Sequence, residues 1–232
     1  MARKLISHNT IMTALDWSYD KAVNGGLGLD SAVELAESYL EDDQSSLYDQ
    51  VTSLIRWQNT KSATSGFVTG LGGIIALPIS IPTNITSVIF VQVRMIAAIA
   101  HMSGYDLNDD KVKTMVYACL TGNAIKELLK DVGMELGTKL AISAISGISS
   151  KTITSINQKV GFRLLTKFGE KGVINLGKAV PFVGGVIGGS VDLYTTNKIG
   201  NIARDIFCSV GEQVEDTKCN SFQANKLVSH TK

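Results

Sequence analysis

The sequence predicts an all-α fold, a single compact helical domain with two glycine-rich apolar hairpin segments. Three observations lead to this. Apolar side chains recur at helical spacing, as at Leu47, Val51 and Leu54, and so share one face of a helix. The 32 residues from 62 to 93 hold no charged side chain and contain two prolines. A chain of 232 residues is also long enough to bury a core without disulfide bonds.

Composition and charge exclude some classes of protein. The chain has 22 basic and 21 acidic residues, a net charge of +1, whereas a dedicated nucleic-acid-binding domain is strongly basic. Charged residues make up 19% and hydrophobic residues 44% of the chain, and this small supply of charge favours contact with a membrane. The three cysteines have no CxxC spacing. They indicate a reduced, intracellular chain, and we expect no metal and no cofactor.

The N-terminal zone, residues 1–61, holds five basic and nine acidic side chains, a net charge of −4. Its apolar periodicity predicts amphipathic helices over 5–24, 30–40 and 45–61. Either Asp30 or Ser31 is placed to cap the second helix, with Glu34 following in its first turn, which is typical of a helix N-terminus.

The first hairpin segment follows. Pro78 and Pro82 divide it into arms at 63–77 and 81–102, because proline removes an amide donor and disfavours helix at the residue before it. The first arm would be about 22 Å long as a helix, short of the about 30 Å of a bilayer core. We therefore expect the hairpin to lie in the protein core or to insert partly. Its glycines predicted to allow close helix packing are Gly70, Gly72 and Gly73.

The second arm of this hairpin carries a narrow polar seam on an otherwise apolar helix. Asn84, Arg94 and His101 fall in one sector of the helical wheel, which favours a buried core helix over a lipid-exposed one. A buried Arg94 must be paired, and we predict Asp192 as its partner; the alternative is that Arg94 reaches the surface along the seam. Gln92 lies on another face and could bond a neighbouring helix. These five residues are the candidates for buried polar or pocket positions.

A helix is predicted over 106–137, capped by Asn108 or Asp109, and another over 131–147. From residue 151 the chain becomes basic, and four cations spaced four residues apart form one row along a helix. A basic amphipathic helix is typical of a membrane-surface contact, and the alternative is a solvated face that keeps the protein soluble. The row consists of Lys159, Arg163, Lys167 and Lys171.

The second hairpin segment covers 179–191 and opens at Pro181. Its glycines lie in pairs four residues apart, so a helix here would present a flat strip for close packing: Gly184, Gly185, Gly188 and Gly189. Thirteen uncharged residues are too few to cross a bilayer. We place the helical core at 62–210, in one domain with the preceding helices, and a polar tail at 211–232.

No motif for catalysis is visible. Residues 172–178 match the spacing of a phosphate-binding loop, but Ala179 stands where Ser or Thr should bind magnesium, and no strand precedes the loop. The sequence contains neither HExxH nor GxSxG, the motifs of zinc hydrolases and of acyl transfer. We name no catalytic residue, and the sequence favours a protein without enzymatic activity.

Several blocks of the chain, in this order, together resemble the EcsC family over about residues 10–210: Ser31 to Ala36, Gly66 to Gly73, Leu77-Pro78 to Asn84, Gln92 to Met95, Gly104 to Asp106 and Pro181 to Asp192. The resemblance implies an all-helical, membrane-associated protein in the bacterial cytoplasm or at the inner membrane. The family takes its name from a protein encoded beside an ABC transporter. It supplies no catalytic residue that can be assigned here.

The leading hypothesis is a non-enzymatic helical protein that docks on a membrane surface of anionic lipids, or on a membrane protein complex. It would dock through the glycine-rich hairpins and the basic helix, peripherally or partly inserted at the inner membrane. One alternative is a membrane-perturbing, pore-forming effector, which would require oligomerisation. Another is a soluble lipid- or ligand-binding protein, or an enzyme, with an apolar helix-lined pocket near Arg94, His101 and Asp192. We expect no nucleic-acid partner, and a homo-oligomer is left open.

Overall fold

The computed structural model describes residues 6–25, 28–40, 45–63, 83–134, 145–168 and 195–208. These ranges are helical and contain no β-strand, so the predicted all-α class is confirmed. The helices are α1 (His8–Asn24), α2 (Ala32–Leu40), α3 (Leu47–Ala63), α4 (Thr83–Met102), α5 (Asp110–Cys119), a 3₁₀ turn (Gly122–Ala124), α6 (Ile125–Lys130), α7 (Ser150–Phe168) and α8 (195–208).

The start of α2 is a reciprocal capping box. The backbone N–H of Glu34 donates to Ser31 Oγ at 3.2 Å, and the backbone N–H of Ser31 donates to the Glu34 carboxylate at 2.7 Å. Two amides that have no partner within the helix are thereby satisfied. Of the two predicted caps, Ser31 is therefore the one used.

The helix predicted over 106–137 is wrong as a single element. Asp109 caps α5 by accepting from the amide of Lys111, but α5 ends at Cys119, and α6 begins only at Ile125. Gly122 has φ +63°, a left-handed conformation that glycine adopts at little cost and that interrupts the α-helix. A second positive-φ glycine, Gly133, turns the chain after α6.

Helix α4 is the centre of the described fold. It contacts α1, α2, α3 and α5, and Ile96 and Ile99 on it are fully buried. Of the polar seam, Arg94 is buried at 3% exposed, and His101 is partly buried at the end of the helix. The prediction of a buried core helix is confirmed, and the alternative that Arg94 reaches the surface is wrong.

Helix α8 runs parallel to α4. Gln92 Nε2 donates to Thr196 Oγ1 at 3.2 Å, and Ser103 Oγ lies 3.4 Å from Cys208 Sγ. The offset in residue number is 104 for the first pair and 105 for the second, so the two helices run in the same direction. The prediction that Gln92 bonds a neighbouring helix is confirmed.

Gly200 lies where α8 packs closely on both α3 and α4. A Cβ built at this position would be 2.9 Å from two side-chain carbons of Ile55 and 3.2 Å from Met95 Cε. Arg204, one turn further along α8, donates to Thr52 Oγ1 of α3 at 2.9 Å. Because only a residue without a side chain fits here, Gly200 fixes the distance between these helices.

Several predictions lie outside the described residues. They are the glycines and prolines of the two hairpin segments, Gly70, Gly72, Gly73, Pro78, Pro82, Pro181, Gly184, Gly185, Gly188 and Gly189, and the tail 211–232. The arm predicted over 81–102 is described from Thr83 and ends at Met102, as predicted. Lys171, Asp192 and the side chain of Asn84 also lie outside.

We predict that Gly200→Ala lowers the free energy of unfolding by about 1 kcal/mol. Overpacking a core costs about 2 kcal/mol in the middle of its usual range, and the better helix propensity of alanine returns about 1 kcal/mol. Urea denaturation followed by circular dichroism measures the change. Asn201→Ala, on the same helix but partly exposed, is the matched control and should change stability by less than about 0.5 kcal/mol. A G200A protein as stable as the wild type would contradict the close packing of α8 on α3 and α4 at this residue.

The capping box should make stability depend on pH through Glu34. The hydrogen bond from the Ser31 amide lowers the pKa of Glu34, so its contribution is present at neutral pH and is lost as the pH falls through the folded-state pKa. We expect the wild type to melt above Glu34→Ala at pH 7, with the gap closing below about pH 4. Glu34→Gln, which keeps an acceptor, should lie between them at pH 7. A gap between wild type and E34A that stays constant with pH would show that the carboxylate charge contributes nothing.

Candidate functional site

The outer face of α7 combines positive charge with an exposed aromatic ring. Its inner face buries Ile156, Val160 and Leu164 in the core. Phe162 points away from this stripe and is 66% exposed, more than the other exposed large apolar side chains of the described residues, Tyr48 and Trp57. Lys159, Arg163 and Lys167 form a row four residues apart along the side of the helix next to the buried stripe, so three of the four predicted basic residues lie in one row as predicted.

Two cations of this row form ion pairs with the neighbouring helix and turn. Lys159 Nζ lies 2.7 Å from a carboxylate oxygen of Asp131, and Arg163 Nη2 lies 2.8 Å from one of Glu127. The hydrogen bond from Lys159 lowers the pKa of Asp131. All four side chains are at least 36% exposed, and exposed pairs of this kind contribute little to stability. The predicted row is therefore partly neutralised by neighbours.

A groove lies between α7 and the segment that contains the 3₁₀ turn and α6. It has a volume of about 710 Å³ and opens to solvent. We call it the α6–α7 groove; its lining residues are Thr121, Ala124, Asp131, Gln158, Lys159, Phe162, Arg163, Leu164, Thr166 and Lys167. Cations and apolar side chains thus line one concave surface. Of the predicted buried polar residues whose side chains the structure describes, Gln92, Arg94 and His101 do not line it.

Charge is unevenly distributed over the described residues. The segments 122–134 and 145–168, which build the groove, hold six basic and two acidic side chains, a net charge of +4. The segments 6–25 and 28–40, which contain α1 and α2, hold one basic and five acidic side chains, a net charge of −4. Such a separation of charge orients a protein in front of an anionic surface.

Sequence reasoning missed Phe162, although a signal was present. At 100° per residue, Phe162 lies 60° from Lys159 and far from the apolar stripe, on the polar side of an otherwise regular helix. It also missed Gly161, where a Cβ would collide with the ring of His8 and approach Met12 Sδ. Glycine inside a helix is unfavourable by about 1 kcal/mol relative to alanine, so its presence there signals close packing.

Of the predicted buried polar residues, Gln92 and Arg94 have hydrogen-bond partners on neighbouring segments. Arg94 is 3% exposed, and its Nη1 donates to the backbone carbonyl of Asp30 at 2.9 Å. Burial lowers the pKa of Arg94, and the charge of Asp30 opposes this shift. Arg94 therefore ties α4 to the start of α2, while the predicted contact with Asp192 stays a prediction. His101 is partly buried at the end of α4.

A polar and aromatic cluster between α1 and α5 was not foreseen from the sequence. The Tyr117 hydroxyl donates to Asp16 Oδ1 at 2.9 Å, and Lys113 Nζ lies 2.8 Å from the same oxygen. Lys113 also stands over the rings of Tyr19 and Tyr117, which meet edge to face. Its members are separated by about 100 positions in sequence, so no local pattern could have found it.

Burial raises the pKa of Tyr117, and the carboxylate of Asp16 raises it further. The pKa of Tyr19 is also raised, mainly by burial, and its hydroxyl donates to the carbonyl of Leu107 at 2.8 Å. Both hydroxyls therefore stay protonated and act as donors, not as bases. Within the described ranges, no three His, Cys, Asp or Glu side chains are grouped as metal ligands.

The fold and the site together define a class: an all-α protein with a buried apolar central helix and a basic, open surface groove. The chain belongs to the EcsC protein family, whose model matches residues 7–208. No curated protein and no solved structure matches the sequence. Of the helices that the structure describes, none is both long enough and apolar enough to cross a bilayer.

We predict that Tyr117→Phe lowers the free energy of unfolding by about 1–2 kcal/mol, because it removes a hydrogen bond to a charged acceptor while leaving the ring in place. Chemical denaturation measures the loss. Tyr48→Phe makes the same chemical change on a ring that is 44% exposed and should be close to neutral. Equal effects of the two substitutions would show that the hydrogen bond from Tyr117 does not help to hold α1 against α5.

Proposed function

We propose that this protein is a non-enzymatic member of its family that docks peripherally on an anionic membrane surface, at the cytoplasmic face of the bacterial inner membrane. The observation that supports this is the surface of α7, where Lys159, Arg163 and Lys167 line the same groove as the exposed Phe162. The cations would contact lipid headgroups, and the ring would enter the boundary between headgroups and acyl chains. The glycine-rich hairpins would add further apolar contact.

Electrostatics supports this orientation. Cations near an anionic leaflet each contribute about 1 kcal/mol of attraction, and the groove segments keep a net charge of +4 after their two acids are counted. Helix α7 packs on α1 and α5, whereas the acidic α2 packs mainly on α3 and α4. Docking through α7 would therefore keep the acidic α2 away from the anionic lipids, so that the electrostatic repulsion between them stays small.

Aromatic and basic side chains have complementary roles in such a contact. A single exposed phenylalanine contributes about 2 kcal/mol when fully buried, which by itself is too little to hold a protein on a membrane. Basic residues add attraction that depends on lipid charge and on salt. The combination gives reversible binding that is selective for anionic membranes.

The test is co-sedimentation with vesicles of phosphatidylglycerol and phosphatidylcholine. We expect the triple variant Lys159→Gln, Arg163→Gln, Lys167→Gln to bind on the order of 100-fold more weakly, at about 1 kcal/mol per cation. Phe162→Ser should weaken binding independently, and wild-type binding should fall as salt rises. The matched control, Lys21→Gln, Arg56→Gln, Lys198→Gln, removes the same charge outside the groove and should bind within a few-fold of the wild type.

Equal loss of vesicle binding in the groove variant and the control variant would show that net charge alone attracts the protein to the membrane. Unchanged vesicle binding in the groove variant would contradict the proposal. Release of dye from loaded vesicles distinguishes the pore-forming alternative from peripheral docking, because a peripheral protein binds vesicles without causing leakage. Detergent-free fractionation of cells with protease mapping then tests the proposed location.

A further inference from the structure

We propose that the α6–α7 groove binds one molecule of an anionic phospholipid, with its phosphate against the cations of α7 and the first part of an acyl chain along the apolar floor. This inference rests on the proposed membrane docking and goes beyond it. A flat basic face suffices to attract a membrane, whereas the chain has built a concave site of about 710 Å³ beneath that face.

The cations lie on one wall of the groove at four-residue spacing, one above the other along the helix. Arg163 presents a planar guanidinium that can hold two phosphate oxygens, and Lys159 adds a mobile ammonium. Their present partners, Glu127 and Asp131, are at least 48% exposed. Because exposed ion pairs are weak, a phosphate can replace these carboxylates without disturbing the core.

The floor and rim of the groove favour an amphiphile over a simple ion. Ala124, Leu164 and Phe162 line the groove. Leu164 is 1% and Phe162 66% exposed, so the apolar surface open to a ligand is that of Phe162 and the partly exposed Ala124. Inorganic phosphate would leave this apolar surface in water, whereas an acyl chain would cover it. Among the polar lining residues, the side-chain amide of Gln158 can donate to headgroup oxygens, whereas the hydroxyls of Thr121 and Thr166 already donate to the carbonyls of Ala118 and Phe162.

The size and charge of the groove further restrict the class of ligand that it can bind. Ligand sites commonly measure about 300–1,000 Å³, and this volume accepts a headgroup with part of one chain, leaving the remaining chain in the bilayer. Three cations and one acid line the site. A zwitterionic headgroup would bring its own ammonium against these cations, so an anionic headgroup is preferred.

The experiment separates binding of a single lipid from adsorption to a surface. Dihexanoyl phosphatidic acid, kept below its micelle concentration, is titrated into the full-length protein by calorimetry, alongside dihexanoyl phosphatidylcholine and inorganic phosphate. We expect saturable one-to-one binding of the phosphatidic acid, with the other two ligands at least about tenfold weaker.

Groove-filling variants then locate the site. Ala124→Trp and Gln158→Trp fill the groove from opposite walls without changing charge, and each should weaken binding of the short-chain lipid at least about tenfold. Asn123→Trp is the matched control, because Asn123 is exposed beside the groove but does not line it. Its binding should stay within about twofold of the wild type.

Vesicle binding is measured on the same proteins, and the groove-filling variants should retain it because their cations are intact. The groove proposal is overturned if phosphate or the zwitterionic lipid binds as well as phosphatidic acid, or if Ala124→Trp binds it normally. Should Ala124→Trp fail to fold, Gln158→Trp on the exposed helix decides. Wild-type vesicle binding without one-to-one lipid binding refutes the groove alone, whereas loss of both refutes the proposed function.

Discussion

The burial of α4 is the constraint on which the rest of the structure depends. This helix is almost entirely covered from Ile89 to Ala100, and each large apolar side chain so buried contributes about 1.5–3 kcal/mol. A helix covered on all sides needs neighbours on all sides, and α1, α2, α3 and α5 supply them together with α8. The packing of these helices follows from the need to cover one apolar rod.

Polar groups on α4 decide how the covering helices are placed. Arg94 finds a carbonyl at the start of α2, and Gln92 finds a hydroxyl on α8. Rotating α4 or shifting it by one turn would leave a buried charge or amide without its acceptor, at a cost of several kcal/mol for the charge. The apolar surface therefore drives association, while these two side chains fix its register.

Local patterns predicted much of this, and contacts between distant residues set the limit. The end of α4 at Met102, the capping of α2 and the row of cations on α7 follow from periodicity and capping chemistry, which act within one or two turns. The break at Gly122 was missed, because the apolar spacing continues across it. The cluster around Asp16 and the groove beside Phe162 needed the positions of whole helices, which no single segment of sequence encodes.

Helix α7 links the core to the proposed lipid site, because one of its faces packs in the core and another lines the α6–α7 groove. Its inner face packs on α1 and α5, and Gly161 lets α1 approach so closely that His8 bonds the carbonyl of Gln158, at 3.2 Å. Gln158 itself lines the groove on the other side. The anchored inner face fixes the positions along α7 from which the cations extend, and groups attached at fixed positions lose less entropy on binding than groups on a mobile segment. In the proposed site, selectivity for one lipid headgroup would therefore follow from how tightly α7 is anchored to the core.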